Sequence, residues 1–136
     1  NCQRMRQPSL RRVEQVAVGE ALSAAERTSL DRGIRRAEQL TRFEFSVYVG
    51  SVEVADPRVF ADQLHSQLVV PDRSVLILVD PRRRVCEVVT GGVVRRRLTD
   101  AEVDLALLAM QSEFAGGALV TGLLRGIAMM AEHARS

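Results

Sequence analysis

Ser74-Val75-Leu76-Ile77-Leu78-Val79-Asp80-Pro81 is the stretch that decides the fold. Val75 to Val79 are apolar without alternation, so a strand there has both faces covered, as a central strand does. Asp80-Pro81-Arg82-Arg83 follows with Asp first and Pro second, the pattern of a type I turn. Arg84 to Thr90 then returns as an antiparallel partner and stops at Gly91-Gly92.

On the amino-terminal side, Phe43 to Val49 alternates at period two, with Phe43, Phe45, Val47 and Val49 on one face of a strand. Gly50 to Asp56 reads as a loop. Asp56 suits a helix cap and Pro57 the first helical turn. That helix is expected to reach about Leu68, with Phe60, Leu64 and Leu68 turned inward. Further back, Ser23-Ala24-Ala25-Glu26 is a capping box, in which the hydroxyl and the carboxylate each take a backbone N–H. Leu30, Ile34, Ala37 and Leu40 follow at helical spacing. Residues 1–12 are polar and basic and read as a flexible leader. Val13, Val16 and Val18 fit a short first strand.

On the carboxyl-terminal side, Thr99-Asp100-Ala101-Glu102 is a second capping box. Val103, Ala106, Leu107, Met110 and Phe114 form the inner stripe of its helix. Gly116-Gly117 breaks that helix, and a last one runs from about Ala118 to Ala134. Its Ala118, Gly122 and Gly126 recur every fourth residue, a row that admits a close neighbour. The order is therefore α-β-α-β-β-α-α, with a strand–helix–strand crossover that makes a parallel pair and a hairpin that adds an antiparallel strand. The fold class expected is α/β: a three-layer α/β/α sandwich around a small mixed sheet, with residues 13–136 as a single domain.

A chain of 136 residues is enough for one core. All 19 basic residues are Arg, as coding in a GC-rich genome favours, and 17 acids bring the net charge to +2. With one Tyr, four Phe and no Trp, the chain lacks the aromatic-laced basic face of a nucleic-acid binder. Cys2 and Cys86 have neither metal spacing nor a disulfide framework. No apolar run follows the first charged residues as in a signal peptide. The longest apolar stretch, Phe114 to Ala131, carries Arg125 and is short for a membrane span. The placement expected is cytoplasmic or peripheral to a membrane.

Asp72-Arg73-Ser74 before the central strand, Glu87-Val88-Val89-Thr90-Gly91-Gly92, Leu98-Thr99-Asp100, Phe114-Ala115-Gly116-Gly117-Ala118-Leu119 and Gly122-Leu123-Leu124-Arg125-Gly126-Ile127 together resemble the TPM domain family, most of all an uncharacterised branch from high-GC bacteria. The resemblance spans about two thirds of the chain once the strand at Phe43 is included. It implies a compact sandwich, and in some relatives phosphatase activity, divalent-cation binding or a role in membrane complexes. The family pattern places Asp after the Gly of a Gly-Asp-aromatic step, where this chain has Ala118 and then Leu119. Alanine neither ligates a hard cation nor acts as a base.

Asp72 and Asp100 are the candidate metal ligands, expected at one sheet edge with Thr90-Gly91-Gly92, to hold calcium or magnesium. Open α/β sheets bind ligands at the carboxyl ends of their parallel strands. Both acids also have local explanations, Asp72 in a turn and Asp100 in the favourable first turn of a helix. Asp80 is accounted for by its turn. His65 and His133 have no catalytic partner at a recognisable spacing, and no Ser stands in a nucleophile elbow. Arg82-Arg83-Arg84 and Arg95-Arg96-Arg97 flank the returning strand and so are expected at its opposite ends.

These readings rank a non-catalytic protein-interaction module first, its partner another protein, with a membrane-associated complex as its setting. A weak divalent-metal-dependent phosphatase using Asp72 and Asp100 is the alternative. A basic module touching anionic lipid or nucleic acid through the Arg triplets comes third, with nucleic acid disfavoured.

Overall fold

The computed structural model describes residues 22–136 of the chain. The leader at residues 1–12, the short strand at Val13, Val16 and Val18, and Cys2 lie outside these described residues.

The elements are α1 (Ala24–Thr41), β1 (Glu44–Val49), α2 (Pro57–Ser66), β2 (Ser74–Asp80), β3 (Val85–Thr90), α3 (Asp100–Ala115) and α4 (Leu119–His133), with single 3-10 turns at Pro71–Arg73 and Val94–Arg96. The order α-β-α-β-β-α-α is the one expected. The sheet runs β1-β2-β3. β1 and β2 are parallel with Val47 opposite Ile77, and β2 and β3 are antiparallel with Ile77 opposite Val88. All seven residues of β2 are buried, which is why the run from Val75 to Val79 carries no polar face.

The two faces are unequally covered. Phe45, Val47 and Val49 join Val75, Ile77 and Val79 beneath α1, α3 and α4, in a core that includes Leu30, Met110, Leu123 and Ile127. Leu76, Leu78 and Val89 face α2 alone, whose buried residues are Ala61 and His65. The expected inward trio Phe60, Leu64 and Leu68 does pack on this face, and Ala61 and His65 are buried alongside it. Phe60 and Leu64 are only half-buried, while Leu68 is buried just beyond the helix end. His65 is a satisfied core histidine, its ring Nε2 lying 3.0 Å from the Ser74 carbonyl oxygen.

Both capping boxes form. Ser23 N–H donates to Glu26 Oε1 at 2.9 Å and Glu26 N–H to Ser23 Oγ at 3.1 Å. The Thr99–Glu102 pair repeats this at 2.9 and 3.2 Å. The small row of α4 lies against α3: a Cβ at Gly122 would meet the Phe114 ring at 2.6 Å, and one at Gly126 would meet Met110 Sδ at 2.4 Å. Gly117, at φ +84°, turns the chain between the two helices in a conformation that side chains disfavour.

Candidate functional site

Because β1 and β2 are parallel, the loops after Val49 and after Asp80 emerge at the same end of the sheet. This is where open α/β sheets form ligand crevices. The Asp80 side chain organises that end. It is 2% exposed. Its Oδ2 accepts from the buried Val52 N–H at 2.8 Å, across 28 positions of sequence. Its Oδ1 accepts from Arg82 N–H at 3.1 Å and Arg83 N–H at 3.4 Å. One carboxylate thus ties the β1–α2 loop to the β2–β3 hairpin. Arg83 doubles the tie by donating Nη1 to the carbonyls of Val52 and Val54. Tyr48, on the same side, donates to the Ser51 carbonyl at 3.2 Å. Burial, and then the Asp80 charge, hold its hydroxyl above the usual phenol range.

On the α3–α4 side of the same end lies a cleft of about 520 Å³. The hairpin lines it with Val79, Val85 and Cys86, and the α3–α4 corner with Phe114, Ala115 and Leu119. Its polar groups are Asp80, Arg84 and Gln111. The Cys86 thiol is half-buried, and desolvation followed by the Glu87 charge pushes it up to about 12. It is therefore a neutral thiol at physiological pH and no nucleophile. Ala118 starts α4 with no side-chain cap, between the cleft residues Gly117 and Leu119. The cleft is an apolar slot with one carboxylate already bonded to three backbone N–H groups.

Asp72 and Asp100 are at the other end. Asp72 directly precedes β2, and the Gly91-Gly92 loop directly follows the antiparallel β3. Both therefore sit at the amino end of the parallel pair, away from the end where the ligand rule for open sheets applies. Asp72 does meet the glycine loop, through backbone: Val93 N–H donates to its carbonyl at 3.0 Å. Gly91 is required there, because a Cβ would lie 2.1 Å from the Pro71 carbonyl oxygen. Asp100 opens α3. Both acids are exposed. Calcium draws about six to eight oxygen ligands. Among the described residues no group of three or more His, Cys, Asp or Glu is placed to hold a metal. His133 lies 3.2 Å from Glu102 in an exposed pair. Glu102 is held below the usual carboxylate range by the Thr99 backbone N–H, with the His133 charge a smaller cause.

Sequence reasoning treated Asp80 as a turn residue and missed its second bond. A hint was present: an acid ending a wholly apolar strand is desolvated, and needs more donors than a surface turn supplies. The two Arg triplets do lie at opposite ends of β3 (Val85–Thr90), as expected.

The family model described as a domain of unknown function (DUF5130) matches residues 4–131. Among solved structures, the chain is similar to the BA42 protein from the psychrophilic bacterium Bizionia argentinensis, at 23% identity and TM-score 0.77, covering 86% of this chain and 83% of that one. It is also similar to the N-terminal domain of the cg2496 protein from Corynebacterium glutamicum, at 14% identity and TM-score 0.71, covering 98% of this chain and 88% of that one. A third similar structure is the N-terminal domain of a protein from P. gingivalis, at 16% identity and TM-score 0.68, covering 88% and 80%. At these identities the likeness is one of fold.

Proposed function

This chain belongs to the DUF5130 family of domains of unknown function, and we propose that it is a non-catalytic protein-interaction module of TPM-like build, which takes an apolar segment of another protein along α3. The observation that carries this reading is the outer face of α3. Leu105 is 53% exposed and Leu108 63% exposed, one turn apart, on a helix whose other face is already buried through Val103, Ala106 and Met110. Helical spacing continues that outer row through Gln111 to Ala115, which line the cleft. An exposed apolar strip joined to an apolar slot is the kind of surface that partners cover. The cleft's own chemistry points the same way. Its carboxylate is engaged by backbone, its thiol stays protonated, and Ala118 stands where the resemblance to TPM domains implies an acid.

The test is a Leu105→Asp, Leu108→Asp double variant. Both side chains are exposed, so the melting temperature should stay within a few degrees of the parent. A protein crosslinked to the parent in stoichiometric amount from an extract of the source cell should be lost by the variant. Capture of the same set by parent and variant would overturn the reading. Loss of self-association in the variant would instead identify the partner as a second copy of the chain.

A further inference from the structure

At the amino end of the parallel pair, far in sequence from one another, arginines from three segments converge on one aromatic ring. Arg42 ends α1, Arg73 ends the turn before β2, and Arg96 and Arg97 end the turn after β3. They surround Phe43, which is 2% exposed, and with it line a cleft of about 320 Å³. The Arg97 guanidinium carbon lies 4.4 Å from the ring centroid and that of Arg73 lies 5.1 Å from it. Each of these two is also anchored by backbone: Arg97 donates to the Thr41 carbonyl at 2.5 Å, and Arg73 to the Arg42 carbonyl at 3.3 Å.

The charges are held, but they are not neutralised. Among the described residues none of these four guanidinium groups has a carboxylate partner; the ion pairs lie elsewhere, on Arg58, Arg125, His133 and Arg135. Arg42 and Arg96 are exposed and make no side-chain hydrogen bond among those residues. Two fixed guanidinium groups on one ring and two unengaged ones at the rim leave a concentration of like charge that a multivalent oxyanion relieves. Guanidinium forks match phosphate oxygens with paired hydrogen bonds. We infer that this cleft binds a phosphate group, with Arg73 and Arg97 as its fixed floor and Arg42 and Arg96 closing from the rim. The triplets Arg82-Arg83-Arg84 and Arg95-Arg96-Arg97 are not alike in this respect, because only the second is joined by Arg42 and Arg73 on an aromatic base.

The experiment titrates inorganic phosphate into the full chain by calorimetry, at ionic strength held constant with chloride. Saturable binding with a Kd on the order of 1 mM is expected for so small a ligand. Arg96→Glu should weaken it roughly tenfold or more. Arg42→Gln is a second rim variant, chosen because that side chain also supports nothing in the fold. Arg82→Glu, an exposed arginine in the hairpin at the other end, makes the same charge change and should leave Kd unchanged. Vesicles of phosphatidylcholine with and without phosphatidic acid distinguish the source. Sedimentation with the acidic vesicles alone, lost in Arg96→Glu and displaced by phosphate, assigns a lipid headgroup; phosphate binding without sedimentation assigns a soluble phosphate ester. No saturation below roughly 30 mM phosphate, or equal weakening by Arg82→Glu and Arg96→Glu, overturns the site.

Discussion

Replacing Asp80 tests whether its carboxylate is structural or free to work in the cleft. In Asp80→Ala the Val52 N–H, which is buried, loses its acceptor, and a buried unsatisfied donor costs about 1–3 kcal/mol. The Arg82 and Arg83 N–H groups are only partly buried and can turn to water, so losing those two bonds adds about 1 kcal/mol together. The total is about 3 kcal/mol. Asp80→Asn keeps the shape. Whichever way its amide points, an NH₂ meets a backbone N–H on one side, at Val52 or at Arg82 and Arg83. Its loss should be smaller, about 2 kcal/mol. Urea unfolding followed by circular dichroism measures both. With a slope of about 1.5 kcal/mol/M, the Ala variant's midpoint should fall by about 2 M. Hydrogen exchange supplies a local readout, since the Val52 amide should exchange on the order of 100-fold faster in Asp80→Ala. A loss under about 1 kcal/mol in both variants, with Val52 exchange unchanged, would refute the reasoning. The carboxylate would then be available to a ligand, and the case for a chemically idle cleft would fail with it.

Gly91→Ala must push the Pro71–Arg73 turn off the end of β3, since the new Cβ would lie 2.1 Å from one carbonyl oxygen and 2.4 Å from the next; a loss of about 3 kcal/mol and a melting temperature lower by roughly 10 °C are expected by calorimetry. Ser46 is buried in β1 with no partner for its hydroxyl among the described residues, so Ser46→Ala should be neutral or stabilising by up to about 1 kcal/mol in the same urea assay. The Cys86 thiol, raised to about 12 by burial, stays protonated in the folded chain while the unfolded thiol ionises near its ordinary value; its contribution is therefore full below that ordinary value and is lost as pH climbs from about 9 toward 12. Cys86→Ala should flatten the decline over that window, and in a Cys2→Ser background iodoacetamide at pH 8 should label Cys86 quickly only in denaturant. Calcium or magnesium should leave the melting temperature unchanged under the non-catalytic reading; a rise that Asp100→Ala abolishes would favour the metal-dependent phosphatase instead.

What could be read along the chain was whatever a few neighbouring residues decide. The uninterrupted apolar run in β2, the boxes Ser23–Glu26 and Thr99–Glu102, the turn at Asp80-Pro81 and the break at Gly116-Gly117 each depend on steric and hydrogen-bonding rules that act within a turn or two. Together they were enough for the class, the element order and the mixed sheet. They were also enough for the small row of α4, because four-residue spacing is itself local. The inner face of α2 was legible in Phe60, Leu64 and Leu68, which pack against the sheet; that Ala61 and His65 are buried beside them was not, since a small residue and a titratable one carry little apolar signal. In α3 the inner stripe of Val103, Ala106, Leu107, Met110 and Phe114 was legible too, and it leaves Leu105 and Leu108 on the outside, where the structure exposes them.

The sites depended on tertiary structure for a different reason: their parts are distant in sequence. Asp80 reaches Val52 only because β1 and β2 run parallel in a fixed register, which brings their two following loops to one end. The same register sends Asp72 and the Gly91-Gly92 loop to the opposite end, a consequence of chain direction that no single motif records. Arg42, Arg73 and Arg97 meet at Phe43 for that reason too, each leaving the sheet at the end where β1 and β2 begin and β3 stops. Local chemistry determined the elements; the direction and register of three strands decided which side chains share a surface.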